Sequence, residues 1–279
     1  MGVQQAILER GAFPHNTQVV EVQAIEAEFI RPGKVAVVIS SVGRAPSLDP
    51  KDGEVIEFNF PGNPTLPATP GKPVKPPKSN FILNPDIEAE IVSGKHPELR
   101  GIKGKVFGPG FIPDKYYHPV AYKLVLEDIT TIRLCWMTEK EHSQHVERHG
   151  GRSVRLDPLI ITTQTPHSIP LRTELIIRMK DRNDAPKIVA YAGSGMEMIM
   201  DLIVPIADDI QHRFLSTKTT DEMIFERPRV VDEMKTQLAE VLAAFPYQVE
   251  EYRVSGIDFQ DASVDPQLPE YVNLHGRKA

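Results

Sequence analysis

The sequence predicts an α+β fold, with mixed or antiparallel β-sheets and two longer helices packed on its second half. Three observations lead there. Residues 19–44 are rich in β-formers, and apolar positions alternate through 120–126 and 169–180, the period of strands. Between residues 185 and 245 the apolar period lengthens to that of helices, and the strand pattern returns in "YQVEEYRVSGIDF". Strands and long helices therefore occupy separate runs instead of alternating, which argues against a doubly wound sheet.

Taken in order, "VVEVQAIEAEFI" reads as a strand, "RPG" as a turn, and "KVAVVISSVGR" as a second strand ending at Gly43. The stretch 46–80 differs. Its part "PGNPTLPATPGKPVKPPKSN" holds seven prolines in twenty residues, with Lys72, Lys75 and Lys78 its only charges. Proline has no N–H for a ladder, so the stretch reads as an extended, polyproline-like segment that cannot join a sheet interior. After "FILNPDIEAEIV" comes the glycine-rich "GIKGKVFGPGFIPDKYYHPVAYKLVLEDITTIRL", whose second half puts Val120, Tyr122, Leu124 and Leu126 on one strand face. Thr138 and Glu141 form a capping box and Gly150–Gly151 a stop, which predicts a helix over 139–149.

Two further strands are predicted in "LIITTQT" and "IPLRTELIIRMK". In the latter, Leu171, Thr173, Leu175 and Ile177 share one face, and Arg172, Glu174, Ile176 and Arg178 the other. Met196, Ile199, Ile203, Ile206 and Ile210 then form a helical apolar stripe, with Glu197, Asp201, Asp208 and Asp209 off it and Pro205 expected to kink it. A second helix opens at the capping box Thr219-x-x-Glu222 and presents Val231, Met234, Leu238, Val241 and Phe245; Pro228 is expected to kink or restart it. The expected organisation is a β-rich first subdomain over 1–155 with a Pro-rich insertion around 46–100, an α+β second subdomain over 156–264, and a tail over 265–279.

Composition narrows the function. The 279 residues are 41% hydrophobic and 25% charged, which excludes a wholly disordered chain. A net charge of −6 argues against a broad nucleic-acid surface, which needs clustered Lys and Arg. Cys135 is the only cysteine, so no internal disulfide forms, which fits a reducing compartment; in "RLCWM", with no adjacent His, it reads as a buried small residue. The N-terminus has no secretory pattern, and Ala6 breaks the myristoylation pattern that Gly2 would open. The apolar stretch at 195–214 is too short and too charged to span a bilayer, so the chain as given is expected to be soluble.

His142, His145 and His149 stand at i, i+3 and i+7 of the short helix, on one face, where imidazoles have the reach to hold zinc. The competing reading is a solvated surface helix, with His149 near the C-terminal end where its cation is favoured. The spacing is not His-Glu-x-x-His, and no Cys or fourth ligand stands at metal spacing, so neither metal nor cofactor is expected. "AGSGM" at 192–196 lacks the rest of any phosphate cradle and reads as a helix entry turn. Ser194 lacks a nucleophile elbow. No catalytic set assembles, and the expectation is a protein that is not an enzyme.

The segment "DPLIITTQTPHSIPLRTELIIRMKDRNDAPKIVAYAG", followed by "DLIVPIADDIQHRFLSTKTTDEMIFERPRVVDEMKTQLAEVL" and "YQVEEYRVSGIDFQD", resembles the SPFH or band 7 family of stomatins, prohibitins and flotillins. The matching features are Val204–Pro205–Ile206 with Asp209–Ile210, Thr217–Thr220, Glu226–Arg227 and the last strand Val249–Phe259. The likeness covers 102–133 and 156–262, is weaker over 2–44, and is absent over 46–100. It implies a homo-oligomeric scaffold at or near a membrane surface, with homologues that are membrane-associated. It also implies an N-terminal membrane-inserting segment and a coiled coil after the last strand, neither of which is read in this chain. In such an assembly Asp208, Asp209, Arg213, Glu226, Arg227 and Arg229 are the expected interface charges. Partners are then further copies of the chain, with membrane lipid or membrane proteins. The alternative is a soluble adaptor that binds a protein through the Pro-rich loop 61–80.

Overall fold

The apolar run KVAVVIS forms strand β2 (Lys34–Ser40), an interior strand of a five-stranded sheet in the computed structural model, which describes residues 29–58, 60, 78–113, 116, 120–164 and 168–257. Strands β5 (Gly101–Phe107) and β7 (Tyr122–Asp128) flank it antiparallel, with Val37 opposite both Val106 and Val125. Val35, Ala36, Val37 and Val38 are all 0% exposed, so both faces of β2 are covered. That is why it reads as a continuous apolar run without alternation. On one face Ala36 and Val38 join Ile30, Ile112 and Tyr116, with Tyr122, Leu124 and Leu126 packed against them as their spacing predicts. Val120, assigned to the same face, precedes the strand and is 61% exposed. Ile30 belongs to β1 (Phe29–Ile30), which pairs with β6 (Gly110–Phe111) and not with β2 across the "RPG" turn.

Helix α3 (Ala185–Ala192) packs on β2, β5 and a further strand, β4 (Phe81–Leu83). Strand β4 runs parallel to β5 through Leu83 and Lys103, and β3 (Val55–Glu57) closes that edge antiparallel to β4. Gly104 makes the parallel approach feasible: a Cβ there would lie 2.2 Å from the Leu83 carbonyl oxygen. The predicted Pro-rich insertion thus supplies two strands and helix α1 (Pro85–Val92), opened by the Asn84 side chain accepting the Asp86 N–H at 3.1 Å. Within the stretch 46–80, β3 takes an edge position; the prolines of 61–77 lie outside the described residues, as do residues 19–28 of the first predicted strand and the tail 265–279.

Two ionic knots fasten this region. Lys103, 2% exposed, lies 3.1 Å from Glu88 Oε2 and 2.5 Å from Glu98 Oε1, while the Tyr116 hydroxyl donates to Glu88. Buried Glu54 accepts from Arg44 and from the Ser47 N–H at 2.7 Å, and its Oε1 stands 3.2 Å from His96 Nε2. Such ions tolerate burial because each is paired and hydrogen-bonded.

The second sheet is organised by β11 (Ser168–Met179), which pairs antiparallel with β8 (Ile132–Trp136), β10 (Leu159–Thr162) and β12 (Tyr247–Ile257). Strand β9 (Arg152–Leu156) runs parallel to β8. Leu171, Thr173, Leu175 and Ile177 are completely buried on one face, as their alternation predicts, with Ile132, Leu134 and Trp136 beside them. Helices α5 (Val204–Leu215) and α7 (Arg227–Leu242) cover this face; α5 packs on β10 and α7 on β12. Between them and the sheet, Gln211 Oε1 accepts from Thr173 Oγ1 at 2.8 Å and from the Tyr252 hydroxyl at 3.0 Å. The opposite face is covered by α2 (Glu139–His149), whose Glu141 pairs with Arg172 at 2.7 Å.

Both predicted capping boxes form. Glu141 accepts the Thr138 N–H at 3.1 Å and Glu222 the Thr219 N–H at 2.8 Å, so α2 and α6 (Thr220–Phe225) begin where expected. The stretch 195–215 winds as α4 (Gly195–Met198), a π turn at Ile199–Ile203, and α5. Pro205, where a kink is expected, stands in the first turn of α5 directly after that π turn. Of the predicted stripe Ile199, Ile203, Ile206 and Ile210 are buried, whereas Met196 is only half-buried and Met198 is the buried methionine; among the described residues no single helix is long and apolar enough to cross a membrane.

The α7 stripe needs correction. Its buried residues are Val230, Met234, Leu238 and Leu242, followed by Phe245, whereas Val231 is half-buried and Val241 is 37% exposed. The helix restarts at Arg227 with Pro228 in its first turn, which resets the phase by one residue. Its stripe then steps by four, following a ridge inclined across the helix.

The chain falls into two compact units: Met1–Gly62, Lys75–Thr130 and Asp181–Met198 in one, and Thr131–Lys180 and Ile199–Ala279 in the other, each in its described residues. Residues 155 and 156, the boundary expected from the sequence, both lie in β9 of the second unit.

Candidate functional site

On the α2 face of the second sheet, alternation directs Arg133 and Cys135 of β8, Glu174 of β11, and Glu251 and Arg253 of β12 to the same side. Glu174 is 1% exposed. Its Oε1 lies 3.0 Å from Arg133 Nη1 and 3.3 Å from His145 Nε2, and its Oε2 3.8 Å from Arg253 Nη1. Arg253 in turn forks onto Glu251, with Nε 2.5 Å from Oε1 and Nη2 2.6 Å from Oε2. That fork holds the Glu251 carboxyl below the usual carboxylate range.

The histidine row is divided by this arrangement. His145 reaches Glu174, and His142 Nε2 instead meets Ser153 Oγ at 2.9 Å, where burial and then the charges of His145 and Arg155 lower its pKa. His142 and His145 are half-buried against the sheet instead of solvated, and the His149 side chain lies outside the described residues. Cys135 is buried as its neighbours suggest, yet it has a histidine beside it in space. The ligand atoms of Cys135, His145 and Glu174 lie within 4.8 Å of one another, the one such group among the described residues. Burial, with Glu174 alongside, pushes the Cys135 thiol up to about 12, which removes it as a free thiolate nucleophile at neutral pH.

Sequence reasoning missed Glu174, because a charged residue on a strand's polar face reads as solvated. The available signal was Ile176, an apolar residue two positions along the same face, which is buried too.

The expected interface charges are placed as follows. Asp208 accepts the Trp136 indole N–H at 2.6 Å and so holds α5 to its own sheet. Asp209 and Arg213 pair along α5 at 2.5 Å. Arg229 meets Glu226 at 2.7 Å, Glu222 at 3.2 Å and Glu233 at 3.4 Å, and Lys218 reaches Glu233 at 2.7 Å. Arg227 is half-buried at the first residue of α7, and Phe225 beside this network is 67% exposed. A shallow groove of about 470 Å³ between α5 and α7 is lined by Ile210, Arg213, Phe214, Gln237, Glu240 and Val241.

In the first unit, the two ends of the Pro-rich stretch are held at one residue. The Phe60 ring packs edge-on against Tyr191 at 5.5 Å, and the Lys78 N–H donates to the Tyr191 carbonyl at 3.0 Å. "AGSGM" is a helix entry turn. Gly193 breaks the helix at φ 104°, Ser194 Oγ accepts the Glu197 N–H at 3.2 Å, and the Gly195 N–H donates to Glu127 at 2.9 Å. A carboxylate of the chain itself therefore sits where a phosphate would have to bind.

The family model described as SPFH domain / Band 7 family matches residues 100–268, more than half of the chain. No curated protein matches it at a significant level.

Proposed function

Because the chain belongs to the SPFH domain / Band 7 family, a membrane-associated family of scaffold type that is generally non-enzymatic, we propose that it acts as a homo-oligomeric scaffold at or near a membrane surface rather than as a catalyst. The observation that carries this reading is the row of paired charges on α5–α7, in which exposed Arg213 meets half-buried Asp209, and exposed Arg229 meets Glu222, Glu226 and Glu233. Surface pairs of this kind contribute little to stability, so exchanging an internal partner for one on a neighbouring copy costs little. Arg227 and exposed Phe225 adjoin the same row. Contacts this weak become effective through repetition once many copies are gathered on one surface.

The test is the solution mass of the chain by light scattering, with and without anionic liposomes. A high oligomer that grows with concentration, or forms only on liposomes, and that shrinks in the double variant Arg213→Glu, Arg229→Glu, is expected. A monomer indifferent to lipid overturns the reading. The joint anchoring of Phe60 and Lys78 at Tyr191 favours a second one, in which the stretch between them is presented to a protein partner. Replacing residues 61–77 by a short Gly-Ser link separates the two: an adaptor loses its partner, whereas a scaffold still assembles.

A further inference from the structure

We propose that Cys135, His145 and Glu174 form a zinc site that clamps helix α2 to the second sheet. The inference is independent of the scaffold reading. The three side chains come from β8, α2 and β11, and their ligand atoms lie within 4.8 Å of one another. Zinc binds thiolate at about 2.3 Å and imidazole nitrogen or carboxylate oxygen at about 2.0–2.2 Å in tetrahedral geometry, which places N and O ligands about 3.3 Å apart. The His145 Nε2 to Glu174 Oε1 distance is 3.3 Å. Two ligands are thus already at the separation the ion requires, and Cys135 stands directly across the ladder from Glu174.

The donor set of one sulfur, one nitrogen and one oxygen suits zinc better than calcium or magnesium, which take oxygen. Three protein ligands leave a fourth position for water. Binding exchanges the thiol proton for the metal: Zn²⁺ joins the Cys135 sulfur as the S–H bond breaks, and one proton leaves to solvent. The thiolate and the Glu174 carboxylate then offset the charge of the ion. Arg253 is already neutralised by its fork onto Glu251. Arg133, 3.0 Å from Glu174 Oε1, orients that carboxylate from outside, as hydrogen-bonded neighbours of metal ligands do.

The experiment uses the full chain, stripped with chelator under reducing conditions and titrated with Co²⁺ as an optical stand-in for Zn²⁺. The expected result is one cobalt per chain, with the strong visible bands of a tetrahedral ion and a near-ultraviolet thiolate band, all displaced by one equivalent of Zn²⁺. Cys135→Ala should abolish the thiolate band and His145→Ala should reduce bound metal at least tenfold. His142→Ala and His149→Ala should keep both signals, which separates this site from the histidine row. Zinc should also raise the melting temperature of the wild type and leave Cys135→Ala unchanged. Absence of the thiolate band in the wild type, or metal uptake that Cys135→Ala does not alter, overturns the proposal; circular dichroism of each variant establishes that a lost signal is not lost folding.

Discussion

On one face of β11, Leu171, Thr173, Leu175 and Ile177 meet α5 and α7 and are wholly buried; on the other, Glu174 and Ile176 are buried under α2 among charged neighbours. The first face is stabilised by removal of apolar area from water, which requires only shape. The second works only while each charge keeps its partner, because a buried ion that loses its partner costs far more than the pair contributes. Equal burial therefore hides unequal tolerance of change: the apolar face should respond to lost volume and the ionic face to lost charge.

The largest effect is expected where volume alone decides. Leu175→Ala should cost about 3 kcal/mol through transfer and cavity terms, seen as a lower urea midpoint at unchanged slope. If it costs under about 1 kcal/mol, the two faces do not differ as argued. Glu174→Gln, nearly the same in size, should cost about 2 kcal/mol in chelator-treated protein, less than for a fully enclosed pair because Arg133 keeps some access to water. The double variant Glu174→Met, Arg133→Met should recover part of that loss in a mutant cycle, whereas additivity would show that the charges are not coupled.

Tyr252→Phe probes the polar knot of Thr173, Gln211 and Tyr252 on the apolar face. Removing its donation to Gln211 should cost about 1 kcal/mol by the same denaturation measurement. The most local effect lies in the first unit. Arg44, above all by hydrogen bonding to Glu54, holds the Glu54 carboxyl below its ordinary value. The stabilisation is therefore complete above the unfolded carboxylate pKa and is lost as pH falls through the lowered folded value. Protection factors for hydrogen exchange in β3 and α1, taken against the intrinsic rate at each pH, should fall as acid is added, and Glu54→Gln should remove that dependence; an unchanged acid profile in the variant would show that Glu54 is not its source.

The same contrast explains what could be read in advance. The alternation in β11, the helical stripe through Ile199–Ile210 and the boxes Thr138–Glu141 and Thr219–Glu222 all depend on neighbours within four residues or on a fixed period, and they are as expected. Strands β8 and β9 escaped notice because a parallel pair across a helix has no local turn to mark it. Cys135, His145 and Glu174 meet only once α2 has folded over the ladder, so no spacing rule finds them, and the row His142, His145, His149 directed attention to the wrong companions. The phase of α7 was lost at a single residue, since Val230 and Val231 are both apolar and only the restart at Arg227 distinguishes them.

The interleaving of the two units bears on biosynthesis. A ribosome completes the five strands of the first sheet with Asp128, yet α3, which covers β2, β4 and β5, emerges only after β8 through β11 of the other unit. Through that interval the nascent chain carries an uncovered apolar sheet face, and neither unit can be finished before the other has been started. Cotranslational folding must here wait on a later segment, which makes the window before Ala185 emerges the stage at which a chaperone would have most to protect.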